Sequence, residues 1–134
     1  MATRSLMTWS GEMTVGEGTL DAEHREVIRL INVLDAVAPN GSRADVETAL
    51  ANLATFVVKH FHDEESFMTR HRYSRIALHQ ELHDDFTAKV QSFLQRLQVE
   101  DHTRLVREIL DFLVFWWTDH ILEADKAYAV EANA

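Results

Sequence analysis

Apolar residues recur at three- and four-residue intervals along most of the chain and fall into four groups. In chain order the groups are Leu20, Val27, Ile28, Ile31 and Leu34; Leu50, Leu53, Phe56, Val57, Phe61, Phe67 and Met68; Ile76, Leu82, Phe86, Val90, Phe93, Leu94 and Leu97; and Leu105, Ile109, Leu110, Leu113, Trp116, Trp117 and Ile121. Short polar stretches at 38–42, 70–74 and 99–103 separate them. The spacing predicts four amphipathic helices. Because short connections favour antiparallel neighbours, the predicted fold is an all-α, up-down-up-down antiparallel four-helix bundle.

The predicted bundle occupies residues 19–128 of a single domain of 134 residues. Residues 1–18 have no helical period and contain three glycines, so we expect an N-terminal arm that Trp9 anchors to the body. Residues 129–134, "AVEANA", are expected to be a frayed tail.

Composition narrows the classes of partner and site. The chain carries 13 basic and 22 acidic residues, a formal charge of −9, which argues against nucleic acid or an anionic membrane surface as a partner. No apolar run is long enough to cross a membrane, and the N-terminus lacks the apolar core of a signal peptide, so a cytoplasmic location is expected. Without cysteine, a metal site can use only histidine and carboxylate side chains.

Histidines of the second predicted helix lie on opposite sides of it. In "KHFHDEES", residues 59–66, His60 and His62 are about 200° apart because each residue turns an α-helix by about 100°. His60 follows the apolar stripe, and Glu64 lies one turn further on the same face, whereas His62 and Glu65 are assigned to the solvated side. A single buried His-Glu pair is more often a structural hydrogen bond than a ligand set, so this pair alone does not predict a metal.

Each of the other three helices adds at least one core-facing histidine. These are His24 on the first helix, His79 and His83 on the third, and His120 on the fourth. In an up-down-up-down bundle the helix ends that carry them and His60 all lie at one end of the molecule. Five imidazoles at one level, with few acceptors to satisfy them, indicate a metal site. The remaining two histidines, His71 and His102, are expected to be solvated.

The ligand types restrict which metal site is possible. Five imidazoles exceed the needs of one tetrahedral zinc, whereas a dinuclear centre bridged by carboxylates such as Glu64 could use them all. The core stripes lack the Glu-x-x-His spacing of ferritin-like sites, and the chain lacks the His-Glu-x-x-His motif of metalloproteases. On the fourth helix, Glu123 and Asp125 both remain candidates, and the three-residue spacing from His120 favours Glu123.

The full set of residues resembles the seven-ligand signature of the hemerythrins, and in length the chain is similar to their single-domain bacterial members. The resemblance covers about residues 20–128 and includes "DAEH", "HFHDEESFM" and "HILEAD"; it departs at Ser74, where the family often has proline. It selects Asp125 over Glu123, which requires the fourth helix to widen locally into a π-type turn or the Asp125 side chain to reach sideways. The implied metal ligands are His24, His60, Glu64, His79, His83, His120 and Asp125.

By the same resemblance the cofactor is a pair of iron ions bridged by Glu64, Asp125 and an oxo or hydroxo group, with dioxygen as the ligand. His79, His83 and His120 would hold one iron, and His24 and His60 the other. An apolar dioxygen pocket would be lined by Val27, Ile28, Phe61, Trp116, Trp117 and Ile121, although ordinary bundle core explains each of these equally well.

The expected function is reversible dioxygen binding for storage, delivery or buffering, without enzymatic activity. The alternatives are a di-iron oxidoreductase acting on peroxide or nitric oxide, and an oxygen or redox sensing module. The sequence does not identify a protein partner, and it does not distinguish iron from manganese.

Overall fold

The computed structural model describes residues 6–133, in which helices alone form the regular secondary structure. Four long helices make the body: α1 (Gly18–Val37), α2 (Arg43–Arg70), α3 (Ile76–Arg96) and α4 (His102–Asp119). A π-helical segment, His120–Asp125, continues α4 directly into α5 (Lys126–Ala132), and a 3₁₀ turn, Gly11–Met13, precedes α1. The predicted all-α four-helix bundle is confirmed.

Polar side chains cap the starts of the long helices. The Ser42 side chain accepts from the Asp45 backbone N–H, and the Asp45 side chain accepts from the Ser42 N–H, so both satisfy free donors of the first turn of α2. Glu17 caps α1 by accepting from Thr19 and Leu20. In the tight turn before α2, a Cβ on Gly41 would approach Val37 to 2.6 Å, which excludes larger residues there.

The bundle buries two apolar clusters. The larger one fills the space between α1, α2, α3 and α4, and Ile31, Leu53, Ile109 and Trp117 within it are fully buried. A smaller one contains Leu20, Phe67, Met68, Tyr73 and Tyr128, from α1, α2, the α2–α3 connection and α5. None of the helices in residues 6–133 is long and apolar enough to span a bilayer.

The two ends of the chain are tied to the bundle. Trp9 packs against the larger cluster, with the Arg25 guanidinium 4.7 Å from its ring centroid, and the Met7 backbone exchanges two hydrogen bonds with the Asn32 side chain. The part of the predicted arm at residues 1–5, and residue 134 of the predicted tail, lie outside the described residues.

The predicted fraying from residue 129 is wrong for most of that segment. Helix α5 continues to Ala132, and Ala129 is buried. The Glu131 carboxylate accepts from the Ser74 backbone N–H at 2.8 Å and also from its hydroxyl. These bonds fix the C-terminal helix against the connection between α2 and α3, which the alanine-rich sequence did not indicate.

Candidate metal centre

Seven polar side chains meet inside the bundle at the end where α1 and α3 begin and α2 and α4 finish. Each is at most 4% exposed, and their ligand atoms form two groups within which all the atoms lie within 4.8 Å of one another. They are His24 from α1, His60 and Glu64 from α2, His79 and His83 from α3, and His120 and Asp125 from the π-helical segment. The structure therefore brings together all the residues predicted as ligands.

The π-helical segment determines which acid of the last helix faces this cluster. In an α-helix a five-residue spacing would turn Asp125 about 140° away from His120. The wider π turn returns Asp125 to the same side, where it is fully buried, while Glu123 is exposed. Of the two arrangements expected for Asp125, a local widening or a side chain that reaches sideways, the structure has the widening.

One oxygen of each carboxylate faces a group of three histidines. Oε1 of Glu64 lies 2.9 Å from Nε2 of His83 and 3.2 Å from Nε2 of His79. Oδ1 of Asp125 lies 3.1 Å from Nε2 of His79 and 3.0 Å from Nε2 of His120.

The other oxygen of each carboxylate faces the remaining two histidines. Oε2 of Glu64 lies 3.3 Å from Nε2 of both His24 and His60. Oδ2 of Asp125 lies 3.0 Å from Nε2 of His24. Glu64 and Asp125 thus stand between a three-histidine group and a two-histidine group, as two bridging carboxylates would.

The nitrogen and oxygen atoms of the cluster are arranged as metal ligands rather than as hydrogen-bond partners of one another. Among the described residues, Nε2 of His60, Nε2 of His120 and both oxygens of Asp125 are buried without a hydrogen-bond partner, although they lie at contact distances. Unpaired buried polar atoms are costly unless something else satisfies them. Two ligands about 2.1 Å from one ion and at right angles to each other are about 3.0 Å apart, which is the spacing found here.

Opposite charges within the cluster stabilise one another. Burial alone would lower the pKa of His24, but contacts with Asp125 and Glu64 raise it to about 10. Burial also lowers the pKa of His120, but the negative charge of Asp125 outweighs this effect and raises the pKa to about 9. Burial would raise the pKa of Glu64, yet the charge of His60 and contacts with His120 and His24 hold it well below its usual range. Burial and the charge of Glu64 would raise the pKa of Asp125, but the charge of His120 and contacts with His120 and His24 lower it.

Two carboxylates outside the ligand set orient the imidazoles. Nδ1 of His60 lies 2.9 Å from Oε1 of Glu23, whose Oε2 also accepts from Nζ of Lys59 at 2.7 Å. Nδ1 of His83 lies 2.8 Å from Oε2 of Glu65. Such contacts fix the imidazole tautomer that leaves Nε2 free to bind a metal. Neither contact was predicted.

A tyrosine also supports the cluster from α5. The Tyr128 hydroxyl donates to Oε2 of Glu64 at 3.0 Å, and the ring is almost fully buried. Burial and the negative charges of Glu64 and Asp125 raise the pKa of Tyr128, so the hydroxyl remains a donor. Because the tail was expected to fray just beyond it, this contact was missed.

Assignments of the residues outside the ligand set need two corrections. His62 is exposed, as expected, but Glu65 is half-buried and contacts His83, so its assignment to the solvated side is wrong. A 100° turn from Glu64 places Glu65 at the rim of the cluster rather than in water. His71 is exposed, whereas His102 is half-buried, with Nε2 3.1 Å from the Gly41 carbonyl oxygen.

The aromatic residues of the candidate dioxygen pocket pack against histidines of the cluster. The Phe61 ring stacks on His83 at 3.7 Å between centroids, and Trp116 stacks on His120 at 4.2 Å. Trp117 lies 5.8 Å from His60 and 6.0 Å from His120 between ring centroids. Val27, Ile28, Phe61, Trp117 and Ile121 are buried, and Trp116 is half-buried.

The fold and the side-chain set define a four-helix protein with a histidine- and carboxylate-rich cation site. Residues 15–131 match the family model described as the hemerythrin HHE cation binding domain. The chain belongs to the hemerythrin family.

Named relatives and solved structures agree with this assignment. A bacteriohemerythrin of Clostridium acetobutylicum is 29% identical over 127 residues, covering 92% of this chain and 98% of that protein. A hemerythrin-like protein of Naegleria gruberi is 34% identical over 124 residues, 92% of each chain. A crystal structure of wild-type hemerythrin superposes with a TM-score of 0.82 at 28% identity, covering 96% of this chain and 99% of the other.

Proposed function

We propose that this protein binds dioxygen reversibly at a di-iron centre and so stores, delivers or buffers oxygen. The observation that carries the proposal is the division of two carboxylates between two histidine groups. Glu64 turns one oxygen toward His79 and His83 and the other toward His24 and His60. Asp125 turns one oxygen toward His79 and His120 and the other toward His24. Membership of the hemerythrin family supports the same reading.

Each ligand has a role in this proposal. His79, His83 and His120 would hold one iron, His24 and His60 would hold the other, and Glu64 and Asp125 would bridge them. When bound and in the ferrous state, a pair of iron ions would supply the electrons for reversible binding of dioxygen. Because the second group offers two imidazoles against three, the iron held by His24 and His60 would be the one able to accept the ligand.

Other residues of the chain protect and shape the site. Glu23 and Glu65 hold the imidazoles of His60 and His83 in the orientation that directs Nε2 inward. The aromatic side chains Phe61, Trp116 and Trp117 cover the histidines and exclude water and protons, which would promote irreversible oxidation of the iron.

A carrier is preferred over an oxidoreductase because of the composition of the site. The seven side chains include five imidazoles and two carboxylates, whereas ferritin-like di-iron oxidases use four glutamates and two histidines. Fewer anionic ligands stabilise highly oxidised iron less well, which favours ligand binding over turnover.

Reversibility is the decisive test. The iron-loaded protein is reduced without air, exposed to dioxygen, and then flushed with inert gas while the visible spectrum is recorded. An absorption band that appears with dioxygen and disappears on flushing supports carriage. Rapid irreversible oxidation with release or consumption of peroxide would instead support the oxidoreductase.

A pair of histidine variants tests the ligand set. His79→Ala is expected to lower the iron bound per chain, because it removes an imidazole from the three-histidine group. His62→Ala is the matched control, since His62 lies on the same bundle but is exposed. Equal loss of iron in both variants would contradict the ligand assignment.

A further inference from the structure

We propose that the indole N–H of Trp117 donates a hydrogen bond to the small ligand held at the metal centre, which makes Trp117 a specificity-determining residue. The inference deepens the proposed function and rests on the same site. Trp117 would then be a hydrogen-bond donor to the ligand, in addition to an apolar side chain that lines the pocket.

The indole nitrogen is a buried donor without an acceptor. Trp117 is fully buried, and within residues 6–133 its Nε1 has no hydrogen-bond partner. A buried donor left unpaired costs about 1–3 kcal/mol, and native structures satisfy nearly all such groups. Because phenylalanine would fill most of this space without that cost, a tryptophan here requires an acceptor that is not one of the surrounding side chains.

The ring of Trp117 lies beside both groups of histidines. Trp117 packs between His60 of the two-histidine group and His120 of the three-histidine group, at 5.8 Å and 6.0 Å between centroids. The rest of its aromatic contacts, Phe61, Phe86 and Trp116, offer no oxygen acceptor in their side chains. The side chains with acceptor atoms beside the ring are the metal-binding histidines, so we assign the acceptor of the indole N–H to a ligand on the metals.

The chemistry fits a ligand that gains negative charge when it binds. A ligand on ferrous iron would gain electron density from the metal, and an N–H donor stabilises a negatively charged ligand more than it stabilises a neutral molecule. A single donor in an otherwise apolar pocket would therefore favour ligands that carry charge and would slow their release. Trp116, the neighbouring indole, is half-buried and its nitrogen has no such constraint.

One competing explanation is that an aromatic face accepts the N–H. Phe86 lies 5.4 Å from Trp117 with its ring inclined by 80°, an edge-to-face arrangement. Such N–H to π contacts are weak. A variant of Phe86 therefore separates the two explanations, since it removes the aromatic face and leaves the indole in place.

The test measures azide binding to the diferric protein by visible absorption, for wild type, Trp117→Phe and Phe86→Leu. Azide is a small anion that binds ferric iron, so the result does not depend on reversible oxygenation. Trp117→Phe is expected to raise the azide Kd about tenfold, and Phe86→Leu, which opens space against the same ring, by less than about twofold. Iron content is measured in each sample.

A rise below about threefold in Trp117→Phe, or an equal rise in Phe86→Leu, would overturn the proposal. If Trp117→Phe fails to fold or to load iron, nuclear magnetic resonance of the ¹⁵N-indole-labelled wild type replaces it, with Trp9→Phe and Trp116→Phe used to assign the signals. Azide is then expected to shift the Trp117 N–H resonance, and an unshifted resonance would overturn the proposal. Anion binding without reversible oxygenation would refute the carrier function alone.

Discussion

At the scale of single residues, a carboxylate outside the ligand set controls how well His60 can hold a metal. Glu23 accepts from Nδ1 of His60 and from Nζ of Lys59. Glu23→Ala is expected to lower the iron affinity about 10- to 100-fold, because the imidazole loses the partner that fixes its tautomer and orientation. Competition with a coloured chelator would measure the change.

The chain offers a matched control for this variant. Asp63 also accepts from Nζ of Lys59, at 2.7 Å, but no hydrogen bond of the described chain joins it to a histidine of the centre. Asp63→Ala should therefore leave iron affinity within about twofold of wild type. If Asp63→Ala weakened iron binding as much as Glu23→Ala, the effect would belong to Lys59 rather than to His60.

The hydrogen bond of the Tyr128 hydroxyl is expected to stabilise the folded protein. The hydroxyl donates to Glu64, a buried carboxylate, so Tyr128→Phe is expected to lower the unfolding free energy of the metal-free protein by about 1.5–3 kcal/mol. Urea unfolding at neutral pH would measure it. Tyr73→Phe is the control, since Tyr73 packs in the same small cluster without bonding to Glu64. Equal losses in the two variants would show that packing, not the hydrogen bond, stabilises the site.

Helical periodicity predicted six of the seven side chains of the cluster, all but Asp125, and it did not predict the carboxylates that orient the imidazoles. A stripe of apolar residues identifies which side chains point inward, so His60 and Glu64 separate from His62. Glu65 is half-buried at the edge of that stripe, and Glu23 is a buried carboxylate on α1, so a division into apolar buried faces and polar exposed faces predicts neither. The rule that a metal-bound imidazole donates through its other nitrogen could have directed a search for nearby carboxylates.

At the scale of the helix, the π-helical segment assigns one acid to the cluster and the other to solvent. Asp125→Asn is expected to lower iron affinity at least about 100-fold, because the neutral amide of asparagine cannot bridge two ions as a carboxylate does. Glu123→Gln, the same chemical change two residues earlier, should leave iron binding intact because Glu123 is exposed. Iron content per chain measures both, and loss of iron in Glu123→Gln would contradict the assignment.

Sequence patterns predicted the four long helices but not, by themselves, the π-helical segment. The four predicted helices correspond to α1 to α4, with breaks where glycine, proline or polar clusters interrupt the period. A periodicity argument assumes a constant turn per residue, so it favoured Glu123 over Asp125. Only the family resemblance supplied the five-residue spacing and, with it, the expectation of a wider turn.

At the scale of the whole molecule, alternation of helix direction converts separate segments of sequence into one site. His24 and His120 are far apart in the chain, yet both contact Asp125. Helix count and short connections were enough to place these histidines at one end of the bundle. The tail could not be predicted in the same way, because α5 is held by Glu131, Tyr128 and Ala129 through contacts with distant parts of the chain.

Removal of iron is expected to make the stability of the molecule dependent on pH. In the metal-free protein the pKa of His24 is raised from 6.5 to about 10 and that of His120 to about 9. A raised histidine pKa stabilises the folded state fully below the unfolded value, and this stability is lost as pH rises through the folded value. The thermal midpoint of the chelated protein should therefore fall between pH 6.5 and pH 10.

The iron-loaded protein provides the comparison. Metal-bound imidazoles are neutral and their Nε2 atoms carry no proton, so the diferric protein lacks this source of pH dependence. Asp125 acts in the opposite direction because its pKa is lowered on folding. It stabilises the folded metal-free protein fully above its unfolded pKa of 3.8, and this stabilisation is lost as the pH falls below that value. A thermal midpoint of the metal-free protein that stayed level or rose between pH 6.5 and pH 10 would show that charged imidazoles do not stabilise the empty cluster.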